Sequence, residues 1–320
     1  MAIKRRVLGG TGLKVSEIGL GTWAIGGDEW GPIDDREAVR AIRRGIDLGV
    51  NFIDTADVYG QGHSEELVAK AIRGMRKNLI IASKAGFDIY TKPGAVGGGG
   101  KNFSLYYLLY ACERSLQRLR TDVIDLYQLH NPGIEVLRQG EALDALGRLK
   151  QQGKIRFIGV SVGNWEEGLV AIETGVVDVL QIVYNLINQD PATRLFPTAR
   201  ERGIGIIVRT PLAFGLLTGK YTPDHVFGHD DFRSHFPPTW LPDNLKKVEQ
   251  VRVLVRGRIK TLPQAAIAFV LSHPAVSVAI PGLKTVKHVE ENLKAGAMAP
   301  LPAADLRRVT DLYARNFAAS

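Results

Sequence analysis

The sequence predicts an α/β protein of the (β/α)8 TIM barrel class. Eight short apolar runs rich in β-branched residues recur along the chain, and helical patterns separate them. Near-continuous hydrophobicity is typical of strands that are covered on both faces of a parallel sheet. Strict alternation of eight strands favours a closed barrel over an open doubly wound sheet. The 320 residues accommodate one barrel of about 250 residues with additions, so residues 1–320 are predicted to form a single domain.

The strands are predicted in the following order. The segment RRVLGGTGLKVSEIG (5–19) predicts an N-terminal β-hairpin around GGTG, which covers the lower end of the barrel. The eight barrel runs are then EIGLGTW (17–23), VNFIDTA (50–56), LIIASKAG (79–86), VIDLYQLH (123–130), IRFIGVS (155–161), VLQIVYN (179–185), IGIIVRTPL (204–212) and SVAIPGL (277–283).

Helices and loops fill the intervals, and several helical patterns begin at a capping Ser, Thr or Asp. The patterns are DREAVRAIRRGIDLG (35–49), SEELVAKAI (64–72), SLYYLLYACERSLQRL (104–119), EVLRQGEALDALGRLKQQG (135–153) and TVKHVEENLKA (285–295). KPGAVGGGGK (92–101) predicts a flexible loop after the third strand. Residues 213–244, rich in Pro, Gly, His and Asp, predict a long functional loop after the seventh strand, and residues 301–316 predict an extra C-terminal helix.

Composition narrows the functional classes. A single cysteine, Cys112, excludes an internal disulfide framework and is typical of a reducing compartment, and no apolar stretch or leader pattern indicates a membrane span or a signal peptide. We therefore expect a cytoplasmic protein. The net charge of +8 is compatible with nucleic acid, an anionic membrane or an anionic small molecule. Basic residues without interleaved aromatic residues argue against nucleic acid, and the oligomeric state stays open.

Four ionisable residues follow predicted strands at the end where barrel active sites are assembled: Asp54, Tyr59, Lys84 and His130. Taken singly, each has an ordinary structural role as a helix cap, a loop aromatic, a rim cation or a turn residue. Together they have the parts for carbonyl reduction. We expect Lys84 to lower the pKa of Tyr59 so that the phenol can donate a proton, Asp54 to balance Lys84, and neutral His130 to orient a carbonyl oxygen.

Other site types find no support in the sequence. GGTG (9–12) lies in the predicted hairpin, so no GxGxxG fingerprint follows a first strand as in a Rossmann dehydrogenase. The sequence also contains neither a P-loop nor an HExxH motif, and it shows no tight cluster of His and acidic residues. We therefore predict no catalytic metal.

The chain resembles the aldo-keto reductase family nearly from end to end. The matching segments are GLGTW (19–23), NFIDTADVYG (51–60), SEELVAKAI (64–72), SKAG (83–86), LYQLHNP (126–132), IRFIGVS (155–161), LQIVYN (180–185), LLTGKY (216–221) and IPGLKTVKHVEEN (280–292). The resemblance implies a (β/α)8 barrel and NAD(P)H-dependent reduction of aldehydes or ketones. It also implies a catalytic tetrad of Asp54, Tyr59, Lys84 and His130, with the tyrosine as general acid.

The resemblance further implies a set of cofactor-binding residues. They are Gly21, Thr22, Trp23, Asp54, Ser161, Asn164, Gln181, Arg209, Leu212, Gly215, Leu217, Lys220, Gly282, Lys284, Thr285, His288, Glu291 and Asn292. Ser161, Asn164 and Gln181 correspond to residues that bind the nicotinamide carboxamide. Leu212, Gly215 and residues 217–220 resemble the segment along the pyrophosphate, and Glu291 with Asn292 resembles a pair near the adenine.

Two positions depart from the family pattern. Two residues separate Ser161 from Asn164, where many members have Ser-Asn adjacent. Arg209 stands where many members have an aromatic residue that stacks on the nicotinamide; a guanidinium plane can stack similarly, and pairing with a nearby acid is the structural alternative.

The proposed cofactor is NADPH rather than NADH, because Lys284 and Thr285 match positions that contact the adenosine 2′-phosphate, and a phosphate favours a cation. His288 stands where many members have Arg or Gln. The expected activity is the reduction of a small-molecule aldehyde or ketone. An NADP-dependent sugar or polyol dehydrogenase and a nucleotide-sensing regulatory subunit stay open as alternatives. Aromatic residues of the expected pocket rim are Trp23, Trp30, Phe87, Trp165 and Phe214.

Overall fold

The computed structural model describes residues 3–27, 29–91, 100–298 and 300–318. Most of the predicted Gly-rich loop at 92–101 lies outside these ranges, because residues 92–99 are not among those described. Within the described ranges, eight parallel strands and an antiparallel hairpin confirm the predicted (β/α)8 class. The extent of the single domain, residues 1–320, stays a prediction.

The strands follow the predicted order. The hairpin consists of β1 (Arg5–Val7) and β2 (Lys14–Ser16), and the barrel consists of β3 (Leu20–Gly21), β4 (Phe52–Asp54), β5 (Ile80–Ala85), β6 (Ile124–His130), β7 (Ile155–Ser161), β8 (Val179–Val183), β9 (Gly205–Arg209) and β10 (Val276–Ile280). Each strand from β3 to β10 pairs in parallel with the next one in the chain.

The helices lie between and after the strands. They are α1 (Asp35–Asp47), α2 (His63–Ala71), α3 (Leu105–Leu119), α4 (Ile134–Gln139), α5 (Glu141–Gln151), α6 (Trp165–Glu173), α7 (Asp190–Arg194), α8 (Phe196–Glu201), α9 (Trp240–Val251), α10 (Leu262–Ser272), α11 (Val286–Gly296) and α12 (Ala303–Ala314). The predicted C-terminal helix at 301–316 is α12.

The barrel closes at a short seam between β3 and β10. Gly19 N donates to Ala279 O at 2.8 Å, and Ala279 N donates to Glu17 O at 2.9 Å. Gly21 lies on this seam, where a Cβ atom would come within 2.8 Å of the Ile280 carbonyl oxygen. The glycine at this position is therefore required by the close approach of two backbones.

The hairpin closes the N-terminal end of the barrel. Its side chains Leu8, Leu13 and Val15 are buried in one apolar cluster with alternate residues of the barrel strands, including Phe52 and Ile207. Gly10 N donates to Gly203 O at 2.6 Å at the start of β9. The lower half of the barrel interior is therefore a packed apolar core.

Polar side chains occupy the upper half of the interior because strand residues alternate between the two faces. On five of the strands an inward-facing polar residue lies two positions beyond the apolar cluster: Asp54, Lys84, Gln128, Gln181 and Arg209. His130 follows Gln128 after a further two positions. The strand period thus gathers the candidate site at the C-terminal end of the barrel, where active sites of this fold are found.

Two predicted elements differ in the structure. The helical pattern at 135–153 is two helices, because Gly140 adopts φ +80° between α4 and α5. The loop predicted over 213–244 ends at residue 239, because residues 240–244 already belong to α9. Trp240, at the start of α9, packs on Phe236 with ring centroids 4.5 Å apart, and this contact stabilises a helix start that composition alone did not indicate.

Candidate active site

Three of the predicted tetrad residues are joined by hydrogen bonds. Lys84 Nζ donates to Asp54 Oδ1 at 2.6 Å, to Tyr59 OH at 3.1 Å and to the Thr55 carbonyl oxygen at 2.8 Å. Lys84 is fully buried, and Asp54 is 2% exposed. The ammonium is therefore held between a carboxylate and a phenol in a dry environment, where electrostatic interactions are strong.

A tight turn presents Tyr59 to this lysine. The turn spans Tyr59–Gly62, and Gly60 adopts φ +60° within it. A Cβ atom on Gly60 would lie 2.2 Å from the Gly26 carbonyl oxygen, so the turn packs directly against the loop after β3. The Tyr59 ring consequently lies beside Trp23, with centroids 6.1 Å apart and planes nearly parallel.

The pKa of Tyr59 is raised above its ordinary value, contrary to the expectation from the sequence. Burial raises it most, the Lys84 ammonium lowers it, and Asp54 raises it again. The desolvation of the phenolate thus outweighs the cation in the resting site. Burial lowers the pKa of Lys84, but Asp54 and Tyr59 raise it, and the net direction is upward. At neutral pH the site holds a neutral phenol beside a charged ammonium.

His130 completes the tetrad as a neutral ring. Burial lowers its pKa well below the ordinary value, and the charges of Lys84, Arg209 and Lys101 act in the same direction. Its ring meets Tyr59 edge-on at a centroid distance of 5.8 Å. His130 Nδ1 is buried and has no hydrogen-bond partner among the described residues. The ring is therefore suited to hydrogen bonding with a small molecule rather than to carrying a charge.

A polar layer lies beneath the tetrad, and one of its members was missed from the sequence. Gln181 Nε2 donates to Asp54 Oδ2 at 2.7 Å, and Gln128 Nε2 donates to the same oxygen at 3.3 Å. Gln128 is fully buried. Its position two residues before His130 on β6 is the signal that could have identified it, because both side chains point into the barrel.

Aromatic residues form a wall beside Tyr59. Trp23 meets Trp30 at a centroid distance of 5.1 Å, and Phe232 contacts both indoles at 4.9 Å. We call Trp23, Trp30 and Phe232 the aromatic wall. Phe232 was not identified from the sequence, because it comes from the middle of the long loop after β9. The Trp23 indole also donates to the Glu29 carboxylate, which fixes the ring.

The other predicted rim residues differ in position. Phe87 meets His130 edge-on at 4.8 Å, and Phe214 contacts Phe232 at 5.5 Å. Trp165 instead lies on α6, where the Arg194 guanidinium stacks 5.3 Å above its ring. The structure therefore brings four of the five aromatic residues to the site or its flank, and it gives Trp165 another partner.

The predicted carboxamide-binding residues separate into two environments. Ser161 is buried at the end of β7, where its Oγ lies 3.4 Å from Asn131 Oδ1, and Gln181 lies in the polar layer. Asn164 is exposed, and its side chain accepts a hydrogen bond from Glu167 N at 2.8 Å as the N-cap of α6. Asn131, in an αL conformation beside Ser161, is a further amide that sequence reasoning did not consider.

Hydroxyl groups fix the chain just after β3 to the neighbouring strand β4. Thr22 is fully buried, and its Oγ1 donates to the Asp54 carbonyl oxygen at 2.9 Å. Ser64 Oγ in turn donates to Thr22 Oγ1 at 2.8 Å. Thr22 therefore ties the loop after β3 to the strand that carries Asp54.

Unpartnered polar atoms mark the end of β9. Arg209 Nη2 donates to Val162 O at 3.1 Å, whereas Arg209 Nε and Thr210 Oγ1 are buried without a hydrogen-bond partner within the described part of the chain. Thr210 has φ +49°, a conformation that is strained for a β-branched residue. No ion pair joins Arg209 to an acid among the described residues, so the structural alternative considered from the sequence finds no support.

The segment after β9 is a distorted 3-10 turn over Ala213–Thr218. Ala213, Phe214 and Gly215 all have positive φ, which turns successive backbone N–H groups in unusual directions. Leu217 is fully buried and Leu212 is half-buried, so neither presents a free apolar surface, whereas Lys220 is exposed. Three of these amides are used within the turn: Ala213 N donates to Thr210 O at 2.9 Å, and Gly215 N and Leu217 N donate to Leu212 O at 3.0 and 3.1 Å.

Basic residues converge between this segment and α11. Lys284 is half-buried, and its Nζ donates to the Trp30 carbonyl oxygen. Burial lowers the pKa of Lys284, Asp231 raises it, and Arg233 and Lys220 lower it, which places these charges near one another. The pKa of His288 is lowered by burial and by Lys220 and Lys284. Lys220, Lys284 and Arg233 thus lie near one another, with Asp231 and Glu291 among them.

Other predicted residues of α11 have local partners. Thr285 caps the helix by accepting from His288 N at 3.2 Å, and Asn292 Nδ2 donates to Gly282 O at 3.2 Å. Glu291 is exposed, 3.9 Å from Lys287. Gly282 is exposed on the turn after β10. These contacts shape the turn between β10 and α11.

Arg233 anchors the long loop after β9. Its guanidinium pairs with Asp231 at 2.5 Å, donates to Tyr221 OH at 2.7 Å and to Phe214 O at 2.8 Å, and stacks 4.7 Å from the Trp30 ring. The loop also pairs with the loop after β3 through an antiparallel bridge between Trp30 and Asp231. These contacts fix Phe232 in the aromatic wall.

Across the described residues, no three His, Cys, Asp or Glu side chains are placed to hold a metal ion together. None of the helices in those same ranges is both long and apolar enough to cross a membrane.

The sequence matches known proteins along nearly its whole length. The family model "Aldo/keto reductase family" matches residues 17–314. Aldo-keto reductase YhdN of Bacillus subtilis (strain 168) is 35% identical over 292 residues, which cover 88% of this chain and 85% of that protein. NADH-specific methylglyoxal reductase of Escherichia coli (strain K12) is 31% identical over 308 residues, 92% of this chain and 93% of that protein.

Solved structures are similar over the same extent. A glycerol dehydrogenase from Gluconobacter oxydans superposes with a TM-score of 0.83 at 32% identity, covering 99% of this chain and 97% of that one. An aldo/keto reductase from Klebsiella pneumoniae in complex with NADP and acetate gives a TM-score of 0.73 at 29% identity, covering 97% and 96% of the two chains.

Proposed function

Since the chain belongs to the aldo/keto reductase family, we propose that it is an NADPH-dependent oxidoreductase that reduces aldehydes or ketones to alcohols, with Tyr59 as the general acid. The observation that carries this proposal is the buried contact of 3.1 Å between Lys84 Nζ and Tyr59 OH, with Asp54 at 2.6 Å on the other side of the ammonium. A phenol held beside a fixed cation can give up its proton to a developing alkoxide.

The residues divide the chemistry as follows. The cofactor, when bound, supplies hydride to the carbonyl carbon. Tyr59 transfers its hydroxyl proton to the carbonyl oxygen, and the resulting phenolate is stabilised by the Lys84 ammonium until solvent restores the proton. Asp54 keeps Lys84 charged. His130, neutral and at the edge of Tyr59, orients the carbonyl oxygen by a hydrogen bond.

The raised pKa of Tyr59 supports reduction as the preferred direction. Reduction needs the protonated phenol, whereas oxidation of an alcohol needs the phenolate as a base. Because burial raises the pKa of Tyr59, the protonated form predominates at neutral pH. The similarity to a glycerol dehydrogenase favours the second candidate, an NADP-dependent polyol dehydrogenase, which would use the same residues in reverse.

The residues above the barrel fit a dinucleotide with an additional phosphate. Arg209 Nε and Thr210 Oγ1 are buried donors without a partner in the described chain. Lys220, Lys284 and His288 are close enough to influence one another's charge, which suits the 2′-phosphate of NADPH. Arg209 would hold the nicotinamide end, and Ser161 with Gln181 would bind its carboxamide.

Substitution of the general acid tests the proposal. Tyr59→Phe removes the transferable proton and is expected to lower kcat for reduction by at least about a hundredfold. Tryptophan fluorescence should show unchanged NADPH affinity, since the hydroxyl group faces the substrate. Tyr106→Phe on α3, where the side chain is 83% exposed, is the matched control. Unchanged turnover in the Tyr59 variant would refute the mechanism, and tight NADPH retention without wild-type turnover would indicate a regulatory subunit.

A further inference from the structure

We propose that Lys101 is a specificity-determining residue that selects carbonyl substrates carrying an anionic group, either a carboxylate or a phosphate. The inference rests on the proposed function, because it assigns a substrate class to the same site. It concerns the part of the site that lies beside Phe87 and His130.

The backbone of Lys101 is fixed at the rim of the barrel. Lys101 forms an antiparallel bridge with Phe87, just beyond β5. Hydrogen bonds flank this bridge on both sides: Asp88 N donates to Gly100 O at 2.9 Å, and Asn102 N donates to Gly86 O at 2.8 Å. Lys101 therefore stays in place although residues of the preceding loop lie outside the described ranges.

The side chain extends toward the catalytic histidine. Lys101 Nζ donates to the Asn131 carbonyl oxygen at 2.7 Å, and Asn131 directly follows His130. The same ammonium lies 5.8 Å from the centre of the Phe87 ring, which in turn meets the His130 ring at 4.8 Å. Phe87 thus forms a floor that leads from His130 to Lys101.

The ammonium is available to a ligand. An ammonium has three donors, and Asn131 accepts one of them. Lys101 is exposed, and no carboxylate forms an ion pair with it in the part of the chain that the structure describes. A substrate anion would therefore gain a charge-assisted hydrogen bond without displacing an internal partner.

The surrounding charges orient such a substrate. The cation Lys84 is balanced by Asp54 at 2.6 Å, whereas Lys101, whose charge lowers the pKa of His130, forms no ion pair among the described residues. Glu141 lines the same surface depression as Lys101, but its carboxylate accepts from Leu105 N. Within the aromatic wall, the Glu29 carboxylate accepts from the Trp23 indole, so a substrate anion is repelled by Glu29 and attracted by Lys101.

Matched substrates isolate this interaction. The pair 4-formylbenzoate and its methyl ester differs in charge at nearly constant shape, and the measured quantity is the ratio of their kcat/KM values with NADPH. Lys101→Gln is expected to lower the acid-to-ester ratio about tenfold, and Lys101→Arg to retain most of it. Lys77→Gln is the control, since Lys77 is an exposed lysine just before β5 at the other end of the barrel.

A second substrate pair separates the two kinds of anion. Glyceraldehyde 3-phosphate and glyceraldehyde give the corresponding phosphate ratio for the same variants. If only one of the two ratios falls in Lys101→Gln, Lys101 recognises the anion of that pair, a carboxylate or a phosphate. If both ratios fall, Lys101 recognises both anions. If neither ratio differs between the wild type and Lys101→Gln by more than twofold, the proposal is wrong.

Failure of the proposed function is recognised separately. If the wild-type protein reduces neither member of either pair, the reductase proposal fails, and Lys101 is then tested by binding alone. Quenching of Trp23 and Trp30 fluorescence by 4-formylbenzoate in the presence of NADPH gives a Kd. A Kd about tenfold weaker in Lys101→Gln supports the anion site, whereas equal values in the two proteins overturn it.

Discussion

Replacing Lys84 by Met removes the cation that contacts the general acid. The substitution keeps a similar side-chain volume in a fully buried position, so the main change is the loss of charge. Lys84 Nζ lies 3.1 Å from Tyr59 OH and 2.6 Å from Asp54 Oδ1. The variant therefore leaves the phenolate that forms during reduction without its cation, and it leaves Asp54 as an unbalanced buried carboxylate.

The distance sets the size of the effect. At 3.1 Å and an effective dielectric constant of about 20, the attraction between a full phenolate and the ammonium is about 5 kcal/mol. When the proton is about half transferred, roughly half of that energy acts in the transition state. A loss of about 2.7 kcal/mol corresponds to a fall in kcat of about a hundredfold.

Single-turnover reduction of an aldehyde, followed by the loss of NADPH absorbance, measures this step. Because an unbalanced Asp54 also destabilises the fold, by about 3–5 kcal/mol for a buried pair that loses one partner, the double variant Asp54→Asn with Lys84→Met serves as the neutral control. Both variants should bind NADPH and lose about the same activity, while Lys84→Arg should retain more. A Lys84→Met enzyme within threefold of the wild-type rate would refute the electrostatic role of Lys84.

Three further predictions follow from the buried charges. The rate of reduction should stay constant from about pH 6 to pH 9. The raised pKa of Tyr59 keeps the phenol protonated over this range, and the lowered pKa of His130 keeps the imidazole neutral. An inflection within this window in a pH profile of kcat would contradict the prediction. Asp57 is fully buried, and burial followed by the charge of Glu65 raises its pKa well above the ordinary value. The folded state therefore holds this proton more tightly than the unfolded state, and the free energy of unfolding should fall as pH rises above about 4. Asp57→Asn should stabilise the protein at pH 8 by on the order of 1–3 kcal/mol in urea unfolding. Equal stabilities of the two proteins at pH 8 would count against this prediction. Lys284→Ala should weaken NADPH binding about tenfold and NADH binding much less, and a preference of the wild type for NADH by more than tenfold would refute the role of Lys284.

The periodicity of the strands made much of the site predictable. Asp54, Lys84 and His130 are inward-facing residues at the C-terminal ends of β4, β5 and β6, and both the apolar runs and the alternation within them can be read from the sequence. Gln128 obeys the same rule, but it lies two residues before the strand end, in the interior of β6. Such residues are predictable because strand geometry fixes their direction.

Residues that depend on loop conformation could not be predicted in this way. Phe232 reaches the aromatic wall because Arg233 anchors the loop to Trp30 and Tyr221, and no periodic pattern encodes those contacts. For Tyr59, the sequence predicted the pKa-lowering effect of Lys84 but not the larger, opposite effect of burial. The sequence shows which charge is near the phenol, but the cost of burying a phenolate depends on packing from several elements.

The hairpin that closes the lower end of the barrel also constrains how the chain is made. Arg6 donates to the carbonyl oxygens of Val276 and Leu271 at 2.7 Å, across 270 and 265 residues of sequence. During ribosomal synthesis the hairpin emerges before the barrel strands that it contacts, so Leu8 and Val15 have no completed barrel to enter until β10 has emerged. A segment that is translated before the barrel is therefore among the last to reach its native contacts, and the formation of these contacts reports the completion of the barrel during biosynthesis.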